Sequence, residues 1–299
     1  MVLHPFLSTW LRGVAGQKVR QTVFEAARQQ IAASQPGSAE LETACQRPCD
    51  VGVVFALESE SGGLEDLLDR AVTYRGHGFV VRVGGLKGRQ VAVLRSGAGR
   101  KAAAAATEAL LTGHHPRWVI SAGFAGGLVE RLKPNDIVVA DEVVDTAGNR
   151  LGLEVQIDRE ALAQLPRVHV GRLLTADRVL RRPDEKRSLG QSHAAVAVDM
   201  ETFAVAEVCR QRQTPFLAIR VVIDAVDEAL PPDIGHLLKQ KTPAARWGAA
   251  LGAIFNRPGS LKDMLQLKEK ALIATDRLAK FLVGVIQAVA PLPESPPAN

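Results

Sequence analysis

The chain has 299 residues, of which 46% are hydrophobic and only 4% aromatic, and its formal net charge is +5. This length suits one large α/β domain or two small ones, with a core built mainly from aliphatic side chains. Three cysteines are too few for a disulfide framework and favour a reducing compartment. The longest strongly apolar stretch near the C-terminus, Phe281 to Ala290, is too short to span a bilayer, and the N-terminus lacks a signal-peptide pattern. We therefore expect a cytoplasmic protein.

Metal and cofactor sites are not expected. Cys45 and Cys49 are four residues apart, without a second pair or a nearby histidine, which is a weak pattern for a metal site. Gly97, Gly99 and Ala102 fit a loose dinucleotide fingerprint, but the next strand ends at Ser121 without an acid for a ribose. The sequence therefore gives no support for NAD binding.

The two ends of the chain differ from its middle. Residues 1–34 have the pattern of one or two amphipathic helices and residues 34–48 that of a polar linker, so we predict an N-terminal helical extension over residues 1–48. Residues 235–290 carry nine Lys or Arg against three Asp or Glu. Both segments would suit peripheral contact with the inner membrane, packing against the domain, or a homodimer interface. The sequence leaves these alternatives open.

The middle of the chain alternates predicted strands and helices. This pattern predicts a single three-layer αβα domain with a mixed central sheet over residues 49–290, followed by a disordered tail at 291–299. The predicted strands are 51–56, 79–84, 90–95, 117–121, 136–140, 168–174, 194–198 and 216–223. The predicted helices are 62–70, 100–112, 183–189 and 200–212, then, from about residue 232, C-terminal helices at 233–240, 243–255 and 260–290.

Two glycine-rich loops follow neighbouring predicted strands, at residues 95–101 and 121–128. Glycines let the backbone approach a ligand closely, and the N–H groups at a helix start attract anions or hydroxyls. Asp224 ends a third strand, which is apolar except for Arg220. A carboxylate there lies where open α/β sheets bind ligands, and apolar surroundings would raise its pKa. A helix cap, or a salt bridge to Arg220, is the structural alternative.

Five segments occur together in one order: 51–60 (VGVVFALESE), 96–99 (SGAG), 121–128 (SAGFAGGL), 198–201 (VDME) and 220–224 (RVVID). Their order and spacing resemble the nucleoside phosphorylase/nucleosidase superfamily over about residues 50–228. They are most similar to its methylthioadenosine/S-adenosylhomocysteine nucleosidase branch. The segments at 230–232 and 257–261 resemble the hopanoid-associated branch, whose members act on adenosyl-hopane.

This resemblance implies roles for three catalytic carboxylates. Asp224 matches the acid that protonates purine N7, Glu201 the glutamate that grips the ribose 2′- and 3′-hydroxyls, and Glu60 the carboxylate that orients or deprotonates the attacking water. Ser96 and Arg220 resemble groups that line the water site, and Met200 packs against the nucleoside. The other substrate-binding candidates are Gly97, Gly123, Phe124, Val179 and Leu180.

Several of these assignments have competitors. Glu58 competes with Glu60, which could also be a solvated helix-start carboxylate. Glu201 could be a surface charge on its helix. Arg220 could form a structural ion pair with Asp224 or Asp199, because a buried arginine is rare unless it is paired.

The chain also departs from the family pattern in two places. Val179 stands where purine-specific members have a stacking aromatic residue, which makes the identity of the base less certain. Ile223 replaces the usual serine before the acid. We expect the loss of that hydrogen bond to favour a protonated Asp224.

The predicted function is hydrolysis of a purine nucleoside, with release of adenine from methylthioadenosine, S-adenosylhomocysteine or adenosyl-hopane. Glu58 and Glu60 follow the first strand, where a phosphorylase would carry an arginine, and two carboxylates there repel phosphate. Phosphorolysis stays an alternative, since Arg95, Arg100 and Lys101 flank the first glycine loop. A non-catalytic nucleoside-binding or membrane-associated scaffold is a second alternative. The expected partners are a small-molecule nucleoside and a second copy of the chain, and no nucleic acid.

Overall fold

The computed structural model describes residues 48–76, 78–153, 159–230 and 260–289. Ten strands lie in these ranges: β1 Val51–Phe55, β2 Asp69–Arg75, β3 Val80–Leu86, β4 Arg89–Arg95, β5 Trp118–Gly127, β6 Ile137–Asp145, β7 Arg150–Gly152, β8 Val168–Thr175, β9 Ala197–Asp199 and β10 Phe216–Asp224. Six helices accompany them: α1 Glu58–Glu65, α2 Arg100–His114, α3 Arg159–Ala163, α4 Pro183–His193, α5 Thr202–Gln211 and α6 Ser260–Ala288.

The strands form one mixed sheet in the order β10-β6-β8-β9-β5-β1-β4-β3-β2, with β7 paired to β6. β10 also pairs with β5, so β5, β10, β6, β8 and β9 close into a ring. The central pairs β1–β4, β1–β5 and β5–β10 are parallel. Their carboxyl ends therefore meet at one edge, which is where open α/β sheets bind ligands.

Helices cover both faces of the sheet. α2 and α5 pack against each other and bury Leu110 and Phe203 on one face. α1 and α6 pack together on the other, where Leu64 and Leu278 are fully buried. The side chains of β1 alternate between the two cores, which explains its continuous apolar sequence. The predicted three-layer α/β fold with a mixed sheet is confirmed.

The predictions failed where the sequence lacked periodic apolar residues. β2 is an edge strand in which only Tyr74 is buried, so Asp69–Arg75 shows no strand pattern. Helix α1 begins at Glu58 rather than residue 62, in a polar segment whose two glycines weaken the helical signal. The short elements β7 and α3 were also missed. The predicted extension and linker up to residue 47, the helices at 233–240 and 243–255, and the tail lie outside the described residues.

The predicted C-terminal helix from residue 260 is present as α6, which ends at Ala288. None of the helices in the described part of the chain has the length and apolar character needed to cross a membrane.

Candidate active site

Glu60 lies in the first turn of α1, and its carboxylate is held entirely by backbone N–H groups. Oε2 accepts hydrogen bonds from Ala56 N at 3.0 Å and Leu57 N at 2.8 Å. Oε1 accepts one from Phe124 N, at 2.9 Å, in the strand β5. A carboxylate that accepts several N–H bonds has a fixed position, and here it joins the end of β1 to the end of β5.

Glu60 is 7% exposed, whereas the side chain of its competitor Glu58 is 76% exposed and faces Arg95. Burial is the main cause that raises the pKa of Glu60, and the three backbone N–H groups oppose it. A solvated helix-start carboxylate, the alternative for Glu60, does not describe this environment. A buried carboxylate with a raised pKa is suited to accept a proton near neutral pH.

Gly123 makes this arrangement possible. A Cβ atom added at Gly123 would lie 2.7 Å from Glu60 Oε1, closer than any side chain could sit without moving the carboxylate. The second glycine loop of the sequence therefore forms the tail of β5, and its lack of a side chain gives Glu60 its place.

Glu201 precedes α5 and is partly buried. Its Oε1 accepts a hydrogen bond of 2.7 Å from Gly99 N, in the first glycine loop. Burial first, and then the negative charges of Asp199 and Glu60, raise the pKa of Glu201 to about 8. The proximity of two carboxylates, Glu60 and Glu201, is a pattern typical of sites that work on protons or on developing positive charge.

Arg220 forms the structural ion pair that the sequence left open, and its partner is Asp199. Arg220 Nη2 lies 2.7 Å from Asp199 Oδ2 and donates to Ser121 Oγ at 2.7 Å. Asp199 also accepts hydrogen bonds from Thr175 Oγ1 at 2.8 Å and from Thr202 N at 3.0 Å. This buried network ties β5, β8, β10 and α5 together beneath the site.

A small cavity lies among these groups. It offers about 10 Å³ to the centre of a water molecule, which is the threshold for holding one water. Ser96 is buried beside it, and its hydroxyl lies 2.8 Å from Gly97 O and 3.2 Å from Phe55 O. The lining residues are Val54, Phe55, Ala56, Glu60, Ser96, Ser121, Ala122, Glu201 and Arg220. Four of the predicted site residues therefore surround one water-sized space.

Asp224, at the end of β10, is 4% exposed and pairs with the fully buried Lys186 of α4. The pairing register between β10 and β5 shifts between Val222 and Asp224, so Ile223 is an extra, bulged residue. Bulges re-aim the side chains that follow them. The side chain of Asp224 lies beside Gly126, where an added Cβ would be 3.2 Å from its Oδ2.

Asp224 has a cationic partner that the sequence did not suggest. Burial raises the pKa of Asp224, the direction expected in apolar surroundings, and the ammonium group of Lys186 opposes this effect. Asp224 is therefore a buried carboxyl group with a raised pKa that is also paired with a cation.

Strand β5 carries both ends of the site. Gly123 contacts Glu60, and Gly126 contacts Asp224. Gly123 and Gly126 are three residues apart on this strand, about 10 Å of extended chain at roughly 3.3 Å per residue. Both carboxyl groups therefore lie against one strand.

The remaining predicted binding residues take different positions. Phe124 and Met200 are partly buried, as is Val179. Leu180 is 4% exposed and packs with Leu128 and Leu174 in a separate apolar cluster, so it supports the loop from inside. Gly97 donates its N–H to Ala56 O at 3.0 Å, which brings the first glycine loop next to Glu60's segment.

The arginines near the first glycine loop are paired with carboxylates. Arg95 contacts Glu58 at 3.2 Å and Glu65 at 3.4 Å. Arg100 lies 3.4 Å from Asp145 and 3.6 Å from Asp177, and its guanidinium stacks over Phe203. Within the described ranges, no group of three or more His, Cys, Asp or Glu side chains could hold a metal ion.

Sequence reasoning missed Lys186 and the full role of Asp199. Lys186 lies in a polar helix and looks like a surface charge. The sequence gives no signal for Lys186, and only the structure shows that it shares a buried helix face with Gly190, four residues on. Gly190 packs so closely that an added Cβ would lie 2.8 Å from Leu128 O, which marks this face as buried.

Comparisons with known proteins agree with the fold. The model of the phosphorylase superfamily matches residues 50–242. Two 5′-methylthioadenosine/S-adenosylhomocysteine nucleosidases are 30% identical to this chain. The one from Tolumonas auensis aligns over 211 residues, 63% of this chain and 92% of the relative. The one from Shewanella loihica aligns over 210 residues, 63% and 91%.

Solved structures of nucleosidases with the same name have a similar fold. The Helicobacter pylori enzyme in complex with an inhibitor superposes with a TM-score of 0.62 at 20% identity, over 82% of this chain and all of that chain. The Neisseria meningitidis enzyme with methylthio-immucillin-A gives 0.58 at 22% identity, over 80% and 99%. The family match, the relatives and the fold together confirm the predicted superfamily: this chain belongs to the phosphorylase superfamily.

Proposed function

We propose that this protein is a nucleosidase that hydrolyses the N-ribosidic bond of a 5′-modified adenosine and releases adenine. The observation that carries the proposal is the water-sized cavity between Glu60, Ser96, Glu201 and Arg220, with Asp224 against Gly126, three residues beyond the glycine that contacts Glu60. The curated relatives are named as nucleosidases, which supports the same reaction class.

In this proposal a water in the cavity attacks C1′ of the ribose. The C1′–N9 bond breaks, the water oxygen bonds to C1′, and one water proton passes to Glu60. The raised pKa of Glu60 makes it a competent base near neutral pH. Its three backbone hydrogen bonds hold the carboxylate still while the proton moves.

Asp224 acts at the other end of the bond. Its proton passes to purine N7, so that the base leaves as neutral adenine rather than as an anion. Glu201 accepts hydrogen bonds from the 2′- and 3′-hydroxyls, and its negative charge favours the positive charge that develops on the sugar ring. Arg220, fixed by Asp199, supports the wall of the water site.

The charge pattern favours hydrolysis over phosphorolysis. A phosphate at C1′ would meet Glu60 and Glu201, while Arg95 and Arg100 are already paired with carboxylates. Breaking these pairs to bind phosphate would cost their interaction energy in addition to the repulsion.

The 5′ substituent is the finer part of the proposal. Methylthioadenosine and S-adenosylhomocysteine are the substrates in the names of the relatives, and adenosyl-hopane follows from the resemblance at residues 230–232 and 257–261. Val179 in place of an aromatic residue leaves room for a modified base.

We also keep the homodimer, a cytoplasmic location with peripheral contact at the inner membrane, and the domain limits 1–48, 49–290 and 291–299 as predictions.

The test is incubation of the purified full chain with adenosine, methylthioadenosine, S-adenosylhomocysteine and adenosyl-hopane, with quantification of free base by chromatography. We expect release of adenine from at least one 5′-modified nucleoside, and E60A as the matched control should lose it. If no substrate is cleaved while E60A and D224N leave the cellular function intact, the protein is a nucleoside-binding scaffold instead.

A further inference from the structure

Lys186 is a lysine without any exposed surface. Its Nζ is paired with Asp224 Oδ2 and donates hydrogen bonds to Ala225 O and Glu228 O, both at 2.8 Å. An ammonium group has three N–H donors, and this site supplies three acceptors. The surroundings of Nζ therefore match the charged form of the side chain.

A purely structural explanation does not account for this cation. Replacing a buried ion pair with apolar side chains of similar volume is often neutral or stabilising, so packing alone gives no reason to keep a charge here. Only one other residue of α4, Gly190, is buried, and the neighbouring Arg187 is half-exposed beside Glu130. One charged side chain of a polar helix thus turns inward and ends at the proposed proton donor.

The contact is also selective between the two oxygens of Asp224. Lys186 holds Oδ2, whereas Oδ1 receives no hydrogen bond from any described residue. Both oxygens lie beside Gly126, within 3.5 Å of the position that a Cβ would take there. Oδ1 is therefore the oxygen left for a ligand.

We propose that Lys186 is a positioning residue for Asp224: it fixes the carboxyl group through Oδ2, leaves Oδ1 for the purine base, and places a positive charge against the group that gives up its proton. This inference rests on the proposed function and names a residue which that function needs.

The physical reason is the balance between burial and charge. Burial alone can raise the pKa of a carboxyl group by about 3 to 5, which would make Asp224 a poor acid. An opposite charge nearby lowers the pKa by about 1 to 3. General acids work best when their pKa lies near the operating pH. Lys186 makes the largest contribution that lowers the pKa of Asp224.

Two other charged groups face Asp224. Glu228, which follows β10, raises the pKa of Asp224, and Lys270 of α6 lowers it. Lys270 is paired with Glu228 at 3.0 Å, and its side chain is 47% exposed, so water and salt screen its charge. Lys186 is the only one of the three that contacts the carboxyl group of Asp224 among the described residues.

The test compares K186M and K186Q with K270M as a matched control, by following kcat against pH on the nucleoside that the wild type cleaves. We expect both Lys186 variants to stay active to a pH about 1 to 3 units higher than the wild type, because Asp224 then keeps its proton longer. Their maximal kcat should fall, but by less than the about 10²–10⁴-fold loss expected from removal of a general acid. K270M should leave the profile in place.

Lower kcat with an unmoved pH profile in K186M and K186Q would overturn the inference, since a merely structural lysine has that effect. A substrate-free measurement on the wild-type protein separates this outcome from failure of the proposed function, and it needs no Lys186 variant. In the wild type, ¹⁵N NMR of lysine should show Lys186 Nζ as an ammonium group at neutral pH and throughout the titration of the Asp224 carboxyl group. That titration is followed by ¹³C NMR, and D224N assigns the Asp224 signal. A neutral amine over that range would refute the inference even in a protein that releases no base.

Discussion

The two ends of the site hold their carboxyl groups by different means. Glu60 is held by backbone N–H groups, two of them within four residues along the chain and one 64 residues away. Asp224 is held by the side chain of Lys186, 38 residues away, on a helix that packs beside the sheet. The path of the backbone thus fixes Glu60, at the end of the site proposed for water. A buried charged side chain fixes Asp224, at the end proposed for the purine.

This difference has a chemical consequence. Neutral N–H donors hold Glu60, and neither they nor the positive charge of Arg220 cancel the effect of burial, so the pKa of Glu60 stays raised and suits a base. A cation beside Asp224 opposes the effect of burial and suits an acid. In the proposed mechanism these two environments serve different roles, with Glu60 as the base and Asp224 as the acid.

The largest expected effect separates the two roles directly. D224N and E60Q should each lower kcat for the nucleoside by about 10²–10⁴-fold, the range for loss of a general acid or base. With 4-nitrophenyl riboside, whose leaving group needs no proton, D224N should recover most of its activity and E60Q should not. Steady-state kinetics on the two substrates measures this. Equal losses for both variants on both substrates would contradict the assignment of Asp224 as the acid and Glu60 as the base.

The buried network of Arg220 and Asp199 beneath Glu60 should dominate the free energy of unfolding. D199N leaves the 3% exposed Arg220 without its anionic partner, and breaking such a buried pair costs about 3–5 kcal/mol of unfolding free energy. D276N breaks an exposed pair with Lys280 and should cost less than about 1 kcal/mol. Urea unfolding of both variants tests the contrast. A cost for D199N as small as that for D276N would show that the network is not a structural support.

The backbone positioning of Glu60 can be tested at Gly123. G123A should lower kcat by about 10²-fold, because the new Cβ would meet Glu60 Oε1 at 2.7 Å and displace the carboxylate. The matched control is G152A, at a glycine with nothing within 4 Å of the added atom. Kinetics should place G152A close to the wild type. Full activity in G123A would mean that the position of Glu60 is unimportant.

Glu201 should make the stability of the protein depend on pH. Its pKa of about 8 lies above that of the unfolded chain, so the folded protein binds more protons between these values. Unfolding free energy should therefore fall as the pH rises from about 5 to about 8, and level off above that. E201Q should reduce this slope, as measured by thermal unfolding at several pH values. An unchanged slope in E201Q would assign the effect to Glu60 and Asp224, which also have raised pKa values.

The sequence predicted the parts of the fold that bury regular apolar patterns. The strands β1, β5 and β10 were found because their residues are buried on both faces of the sheet. The edge strand β2 was not, because pairing with β3 rather than burial defines it. The hydrophobicity pattern of a single segment carries no information about which strand that segment pairs with.

The candidate site divides in the same way. The glycines and carboxylates lie in continuous segments that the family resemblance covers, so Glu60, Glu201 and Asp224 could be singled out. Lys186 could not, because its partner is remote in sequence and a lysine in a polar helix normally points to water. The ion pair of Arg220 with Asp199 stood among the alternatives, and only the structure decides which acid is the partner.

The most direct test of the central claim is cleavage of the preferred nucleoside in phosphate-free buffer and in buffer with inorganic phosphate, with adenine followed by chromatography and sugar phosphates by ³¹P NMR. The account predicts the same rate of adenine release in both buffers and free sugar as the second product. Release of adenine that requires phosphate, with a sugar 1-phosphate as the product, would contradict it.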